Sequence, residues 1–241
     1  MNHRYAAMIF AIPLIAASLW GASCGNNGGS SDGFTENLDI TVCDPSEGPF
    51  TLDIDNPFFP LQVGTQLVLE GDDGGAAIRL EVTVLDETEE VAGITTRVLE
   101  ERESEDGELV EVSRNFFVQA PDGTICYFGE DVDIYEGGVI VSHEGNWRAG
   151  VSGASPGIFM PASPAVGQAF RQEVAPGVAE DRVEIVATGE STTTPVETFT
   201  DTVRFLETTP IEPGALMSPS RGKPAASQAA ATGRGPCVRT S

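Results

Sequence analysis

The stretch Asn56-Pro57-Phe58-Phe59-Pro60-Leu61-Gln62-Val63-Gly64-Thr65-Gln66-Leu67-Val68-Leu69-Glu70-Gly71 decides how the chain is read. Asn56-Pro57 starts a turn, and Pro60 fixes a second bend. Phe58 and Phe59 sit between the prolines as an apolar plug. After Gly64 the side chains alternate. Thr65, Leu67 and Leu69 take one side, and Gln66, Val68 and Glu70 the other. That is the period of a half-buried strand, ended here by the turn Gly71-Asp72-Asp73-Gly74-Gly75.

The same grammar repeats downstream. Ile78, Leu80, Val82 and Val84 share a face, Ala92-Gly93 turns, and Ile94, Thr96 and Val98 resume it. Glu105-Asp106-Gly107-Glu108 is a two-residue hairpin signal between long strands. Leu109 to Gln119 returns with Val110, Val112, Phe116 and Val118 inward. Pro121-Asp122-Gly123 leads to a strand over Ile125 to Phe128, and Glu136-Gly137-Gly138 separates Val132 to Tyr135 from Val139 to Ser142. Upstream, Leu38, Ile40 and Val42 alternate as a short edge strand. Downstream, the Gly- and Pro-rich span 145–167 reads as a crossing loop, with Trp147 a core plug. Strands follow over 168–174, 178–188 and 198–207. With no helix-period window between them, the expected fold is all-β: a single-domain antiparallel meander curling into an open or partly closed barrel over 49–213.

The ends read differently. Arg4 precedes the apolar run Ala6 to Leu19, which is too short to span a bilayer, so residues 1–23 read as a signal peptide. Leu19-Trp20-Gly21-Ala22-Ser23-Cys24 resembles a bacterial lipobox, with Gly21 where such motifs usually carry Leu. The expectation is lipid on Cys24, with 24–48 as a flexible linker rich in Gly, Asn and Ser. The alternative is cleavage at the small residues and free secretion. The tail 214–241 carries Arg221, Lys223, Arg234 and Arg239 but no acid, and reads either as disordered or as the out-of-frame end of a shifted reading frame.

Charge narrows the partners. The chain has 37 Asp and Glu against 13 Lys and Arg, a net −24, and its one lysine lies in the tail. Such a field repels nucleic acid. With Cys24 lipidated, Cys43 and Cys126 either pair as a disulfide or remain two buried thiols. No Cys-x-x-Cys is present, which argues against a zinc ribbon or a thioredoxin-type centre. Gly153-Ala154-Ser155-Pro156-Gly157 has the letters of a nucleophile elbow, but Pro156 lacks the N–H that an oxyanion hole needs there. His143 reads as an ordinary surface histidine. Glu130, Asp131, Asp133 and Glu136 cluster around a turn, which makes calcium the one candidate metal; no other cofactor is implied. Carboxylates are too numerous for a catalytic pair to be selected from sequence.

Asn56-Pro57-x-Phe59-Pro60-Leu61-x-x-Gly64-Thr65 with Leu69-Glu70-Gly71 resembles the opening of an uncharacterised family of secreted bacterial proteins, often lipoproteins. Tyr127-Phe128-Gly129-Glu130-Asp131, Pro156-Gly157-Ile158-x-Met160-Pro161 and Val166-Gly167-Gln168-x-Phe170-Arg171-Gln172-Glu173 fit the same pattern. Members of such families end in a closing strand that this chain lacks after Pro213. The resemblance implies location and fold, and no assigned activity. The expected function is that of an envelope lipoprotein, anchored outside the cytoplasm, whose β-domain binds or builds rather than performs covalent chemistry. Its interior is either a filled core or a pocket for an apolar ligand, and its other candidate partner is an envelope polymer. A carboxylate-dependent hydrolase of envelope glycans is the second expectation, and a calcium-stabilised surface module the third.

Overall fold

The computed structural model describes residues 5–7, 34–194, 198–211 and 229–233. The signal-peptide and lipid-anchor readings, Cys24 included, otherwise lie outside the described residues, as does the tail apart from one strand. The architecture is all-β and antiparallel, in two sheets that do not close into a barrel. The larger sheet runs in sequence order through β2 (Gln66–Asp73), β3 (Ala76–Val91), β4 (Ile94–Glu105), β5 (Glu108–Gln119), β6 (Ile125–Glu136) and β7 (Val139–Ser142). Two short strands, β8 (Trp147–Arg148) and β9 (Gly157–Met160), follow β7 along the same side of β6. The second sheet has the order β1 (Tyr5–Ala7), β13 (Ala229–Gly233), β12 (Thr198–Thr208), β11 (Arg182–Thr193), β10 (Ala169–Arg171).

The hairpin turns follow their chemistry. Ala92 and Gly93 join β3 to β4 at φ 52° and 79°, and Asp106 and Gly107 join β4 to β5 at φ 50° and 86°. Paired positive φ values give the turn the twist that hairpin strands need. Between Phe128 and Val132 the chain does not break as its sequence suggests. β6 is continuous through Gly129, whose φ of 140° opens a bulge opposite Phe116 and Phe117. A Cβ on Gly129 would lie 2.4 Å from the Trp147 carbonyl oxygen, so only glycine lets β8 pair there.

Three expectations are corrected. Ile40–Cys43 is a 3-10 turn, not an edge strand. Asp39 caps it by accepting from the Thr41 N–H at 3.0 Å, and Asp44 caps the next turn through the Ser46 N–H at 2.8 Å. The strand expected over 178–188 begins only at Arg182, because Ala175 and Ala179 pair across the turn at Pro176-Gly177. The strand expected over 168–174 is three residues long. In the tail, the described residues Ala229–Gly233 form a strand against β12.

The opening motif is a fastener. Asn56 is 3 % exposed, and its amide Nδ2 donates to the carbonyls of Gly123 and Pro161 at 2.9 and 3.1 Å. Its Oδ1 accepts from the Phe58 N–H at 2.9 Å. Phe59 packs on Phe117 and Phe159 with ring centroids 5.2 and 4.6 Å away, and Phe117 stacks on Tyr127 at 4.7 Å.

Cys43 and Cys126 form a disulfide between the capped turn and β6, across 83 residues. Closing a loop of that length removes chain entropy from the unfolded state worth roughly 4 kcal/mol. The double variant Cys43→Ala/Cys126→Ala is expected to lose about that much unfolding free energy in urea titration. An unchanged midpoint would show that the crosslink contributes nothing.

Candidate functional site

In the larger sheet, strand register lines up rows of side chains on one face. One row is Leu69, Leu80, Glu103, Glu111 and Ile134. The next is Leu67, Val82, Glu101, Ser113 and Val132. A third holds Val84, Leu99, Asn115 and Glu130. The face is therefore apolar on β2 and β3 and carboxyl-rich on β4, β5 and β6. The segment 172–181 and the end of β12 cover the carboxyl-rich part. Between them lies a cleft of about 460 Å³.

The cover is tied down by backbone contacts. The Ser155 N–H donates to the Val174 carbonyl at 2.9 Å, and the Gln172 N–H donates to the Asp181 carbonyl at 2.8 Å. Gly157 approaches so closely that a Cβ there would sit 2.1 Å from the Gln172 carbonyl oxygen. This contact brings Glu173 to the cleft.

The charged residues lining the cleft are all acids, among them Glu101, Glu103, Glu111, Glu130, Glu173 and Glu207; no Arg, Lys or His of the described residues lines it. The arginines are engaged elsewhere, with Arg79 on Glu70 and Glu81, Arg114 on Glu87, Arg148 on Asp131 and Glu89, Arg171 on Glu36, and Arg204 on Glu190. Phe117, Tyr127 and Phe159 give the cleft an aromatic lining.

Burial and crowding hold protons on these carboxyls. Glu101 is 6 % exposed. Loss of solvent, and then the charges of Glu111 and Glu103, push its pKa up to about 8. Glu103 and Glu111 lie directly across from one another, a like-charge pairing that strands ordinarily avoid. Glu130 and Glu207 keep some solvent contact, yet burial first and neighbouring acids second raise each to about 8. Glu173 is raised by burial and then by Glu130, and Glu111 by burial.

A polar chain runs across the floor. The Tyr127 hydroxyl donates to Asn115 Oδ1, and Asn115 Nδ2 donates to Ser113 Oγ at 3.1 Å. Ser113 lies close enough to Glu101, and Tyr127 to Glu130, to temper their upward shifts. Glu101 Oε1 and the Trp147 indole N–H are buried without a hydrogen-bond partner. The indole lies near enough to Glu173 to temper its upward shift, outside satisfying hydrogen-bond geometry.

The four carboxylates read as a calcium cluster are not brought together. They fall on one strand, whose alternation sends Glu130 and Glu136 to the cleft and Asp131 and Asp133 to the opposite face. There Asp131 meets Arg148 at 2.5 Å, and Asp133 meets His143 Nδ1 at 2.8 Å. Among the described residues, no group of three or more His, Cys, Asp and Glu is placed to hold a metal. The interior expected to be lined by Val, Ile and Phe is lined by carboxyls as well. The sequence did carry a signal for them: Glu101, Glu103 and Glu105 recur at period two, with Glu101 and Glu103 facing Ser113 and Glu111 across a short hairpin.

No family model matches the chain, and no curated protein or solved structure is significantly similar to it. No helix among the described residues is long and apolar enough to cross a membrane.

The raised carboxyls give stability a definite pH sign. Between about 4.5, the ordinary value, and about 8, the folded chain keeps protons that the unfolded chain has released. Stability therefore falls as pH rises through that window, by up to about 1.4 kcal/mol per pH unit for each such group. The melting temperature is expected to be higher at pH 5 than at pH 8.5, with Glu101→Gln reducing the difference. A melting temperature that rises across this range would contradict the burial of these acids.

Proposed function

We propose that this chain is an extracytoplasmic binding protein, anchored in the envelope through lipid on Cys24, whose cleft takes a small organic cation with an apolar body. The observation that carries the ligand class is the one-sided charge of the cleft. Its charged lining is acid throughout, beside Val110, Val132, Ile134 and Val178. Carboxyls packed this closely are relieved either by protons or by a cation, and an amine supplies both the charge and the hydrogen-bond donors. The compartment is supported by the lipobox-like Leu19 to Cys24 and by the Cys43–Cys126 disulfide, a crosslink that persists in oxidising surroundings. The resemblance of the Asn56 to Gly71 opening to secreted bacterial lipoproteins agrees with that placement.

Hydrolysis of envelope glycans is the second reading, and one observation favours it: Glu101 and Glu130 share a cleft with carboxyl pKa values near neutrality, as acid–base catalysis requires. Against it, Phe117 and Phe159 are sunk into the core at 1 % and 4 % exposure, which leaves half-buried Tyr135 as the ring a sugar could meet. The calcium-stabilised module gains no support, since strand alternation divides its four ligands.

Benzylamine and its neutral counterpart benzyl alcohol separate the first two readings. Calorimetric titration is expected to show saturable one-to-one binding of benzylamine and at least tenfold weaker binding of the alcohol. Glu90→Gln, at an exposed site away from the cleft, is expected to leave the affinity unchanged. Equal binding of the two compounds, or cleavage of peptidoglycan fragments without amine binding, would contradict the cation reading.

A further inference from the structure

One carboxyl in the cleft differs from the rest. Glu101 is more than nine-tenths buried, it lines the cleft, and its Oε1 has no hydrogen-bond partner. A buried polar atom without a partner in the protein calls for one from outside it, a water, an ion or a ligand group.

Ser113 stands directly across the strand pair from Glu101, close enough to temper its upward shift. Ser113 Oγ accepts from Asn115 Nδ2. Asn115 is oriented in turn by the Tyr127 hydroxyl, which donates to its Oδ1. Tyr127 is 3 % exposed and stacked on Phe117, so the whole chain of contacts is fixed to the sheet. Glu101 thus lines the cleft with Oε1 still to be satisfied.

The charged groups that share the cleft with Glu101 complete the picture. They are Glu103 and Glu105 from its own strand, Glu111 from β5, Glu130 and Glu136 from β6, Glu144 from the turn after β7, Glu173 and Asp181 from the covering segment, and Glu207 from β12. None is basic. Val82 and Ser113 flank Glu101 in its row, with Val132 beyond Ser113.

Resting on the reading that the cleft takes an organic cation, we propose that Glu101 is its anchor: a primary ammonium of the ligand docks on Oε1, and one proton leaves the cleft in exchange. The exchange balances, since the carboxyl gives up its proton to solvent and the resulting carboxylate accepts a hydrogen bond from the ammonium. A single available oxygen suits an ammonium better than a guanidinium, whose planar fork is matched by two. Ser113, Asn115 and Tyr127 are positioning residues, and they do not meet the ligand charge themselves.

Titration calorimetry with benzylamine at pH 7, repeated in buffers of different ionisation enthalpy, tests this. Wild-type protein is expected to bind one amine and release close to one proton. Glu101→Gln is expected to weaken binding at least tenfold, and Glu207→Gln, on the β12 wall, by less than threefold. Both variants replace a carboxyl by its neutral isostere, and thermal unfolding checks that they fold. The proton count needs no variant. Benzylguanidine is expected to bind more weakly than benzylamine. Benzylamine binding that survives Glu101→Gln, or that falls equally in Glu207→Gln, would overturn the anchor while leaving the cation reading intact. So would release of no proton, or of two or more. Absence of any binding to the wild type would overturn both.

Discussion

A β-strand shows each side chain to one of two faces, and that constraint decides where the charge of this protein lies. On β4, the period of two that exposes Glu100 and Arg102 on one face commits Glu101 and Glu103 to the other. Pairing then multiplies the effect. β5 answers with Glu111, Ser113 and Asn115, and β6 with Glu130. A slip of one residue in the β4–β5 pairing would turn Glu111, Ser113, Asn115 and Glu130 outward and face the cover with Arg114 and Asp131 instead.

The second constraint is the cover. A carboxyl-rich face open to water would be unremarked on so acidic a chain. Segment 172–181 and the end of β12 close over it, and burial then raises the proton affinity of Glu101, Glu130, Glu173 and Glu207. The close approach of Gly157 to the Gln172 carbonyl holds the cover in place, as does the aromatic cluster of Phe59, Phe117, Tyr127 and Phe159 beneath. The opening motif belongs to the same assembly. Asn56 ties the loops at Gly123 and Pro161 together, and its neighbour Phe59 lies against Phe117 and Phe159.

Much of the fold was legible because turn chemistry is local. Ala92-Gly93, Asp106-Gly107 and Gly137-Gly138 mark their hairpins through the backbone conformations they permit. The alternations of β2 and β3 show which side of those strands is apolar. The cleft was not legible, because nothing local says whether a polar face meets water or another sheet. On β5 the apolar series Val112, Phe116 and Val118 looks like the inner face, yet both faces are buried and the cleft lies on the side of Glu111, Ser113 and Asn115. The calcium grouping is divided for a related reason: a continuous strand through Gly129 spreads residues 130 to 136 over two faces. At Ile40–Cys43 the apolar alternation is outweighed by two aspartate caps, a competition settled by hydrogen bonds two to three residues apart.

The central claim is that glutamates of the larger sheet stand in a covered cleft where burial and mutual repulsion keep them protonated. Carbon-detected NMR titration of glutamate side-chain carboxyls reads this directly. A small group that includes Glu101 and Glu130 is expected to titrate near pH 8, well separated from the remaining glutamates. Titration of every glutamate between about 4 and 5, the range of exposed carboxyls, would show that the face is open to water and that the cleft does not exist.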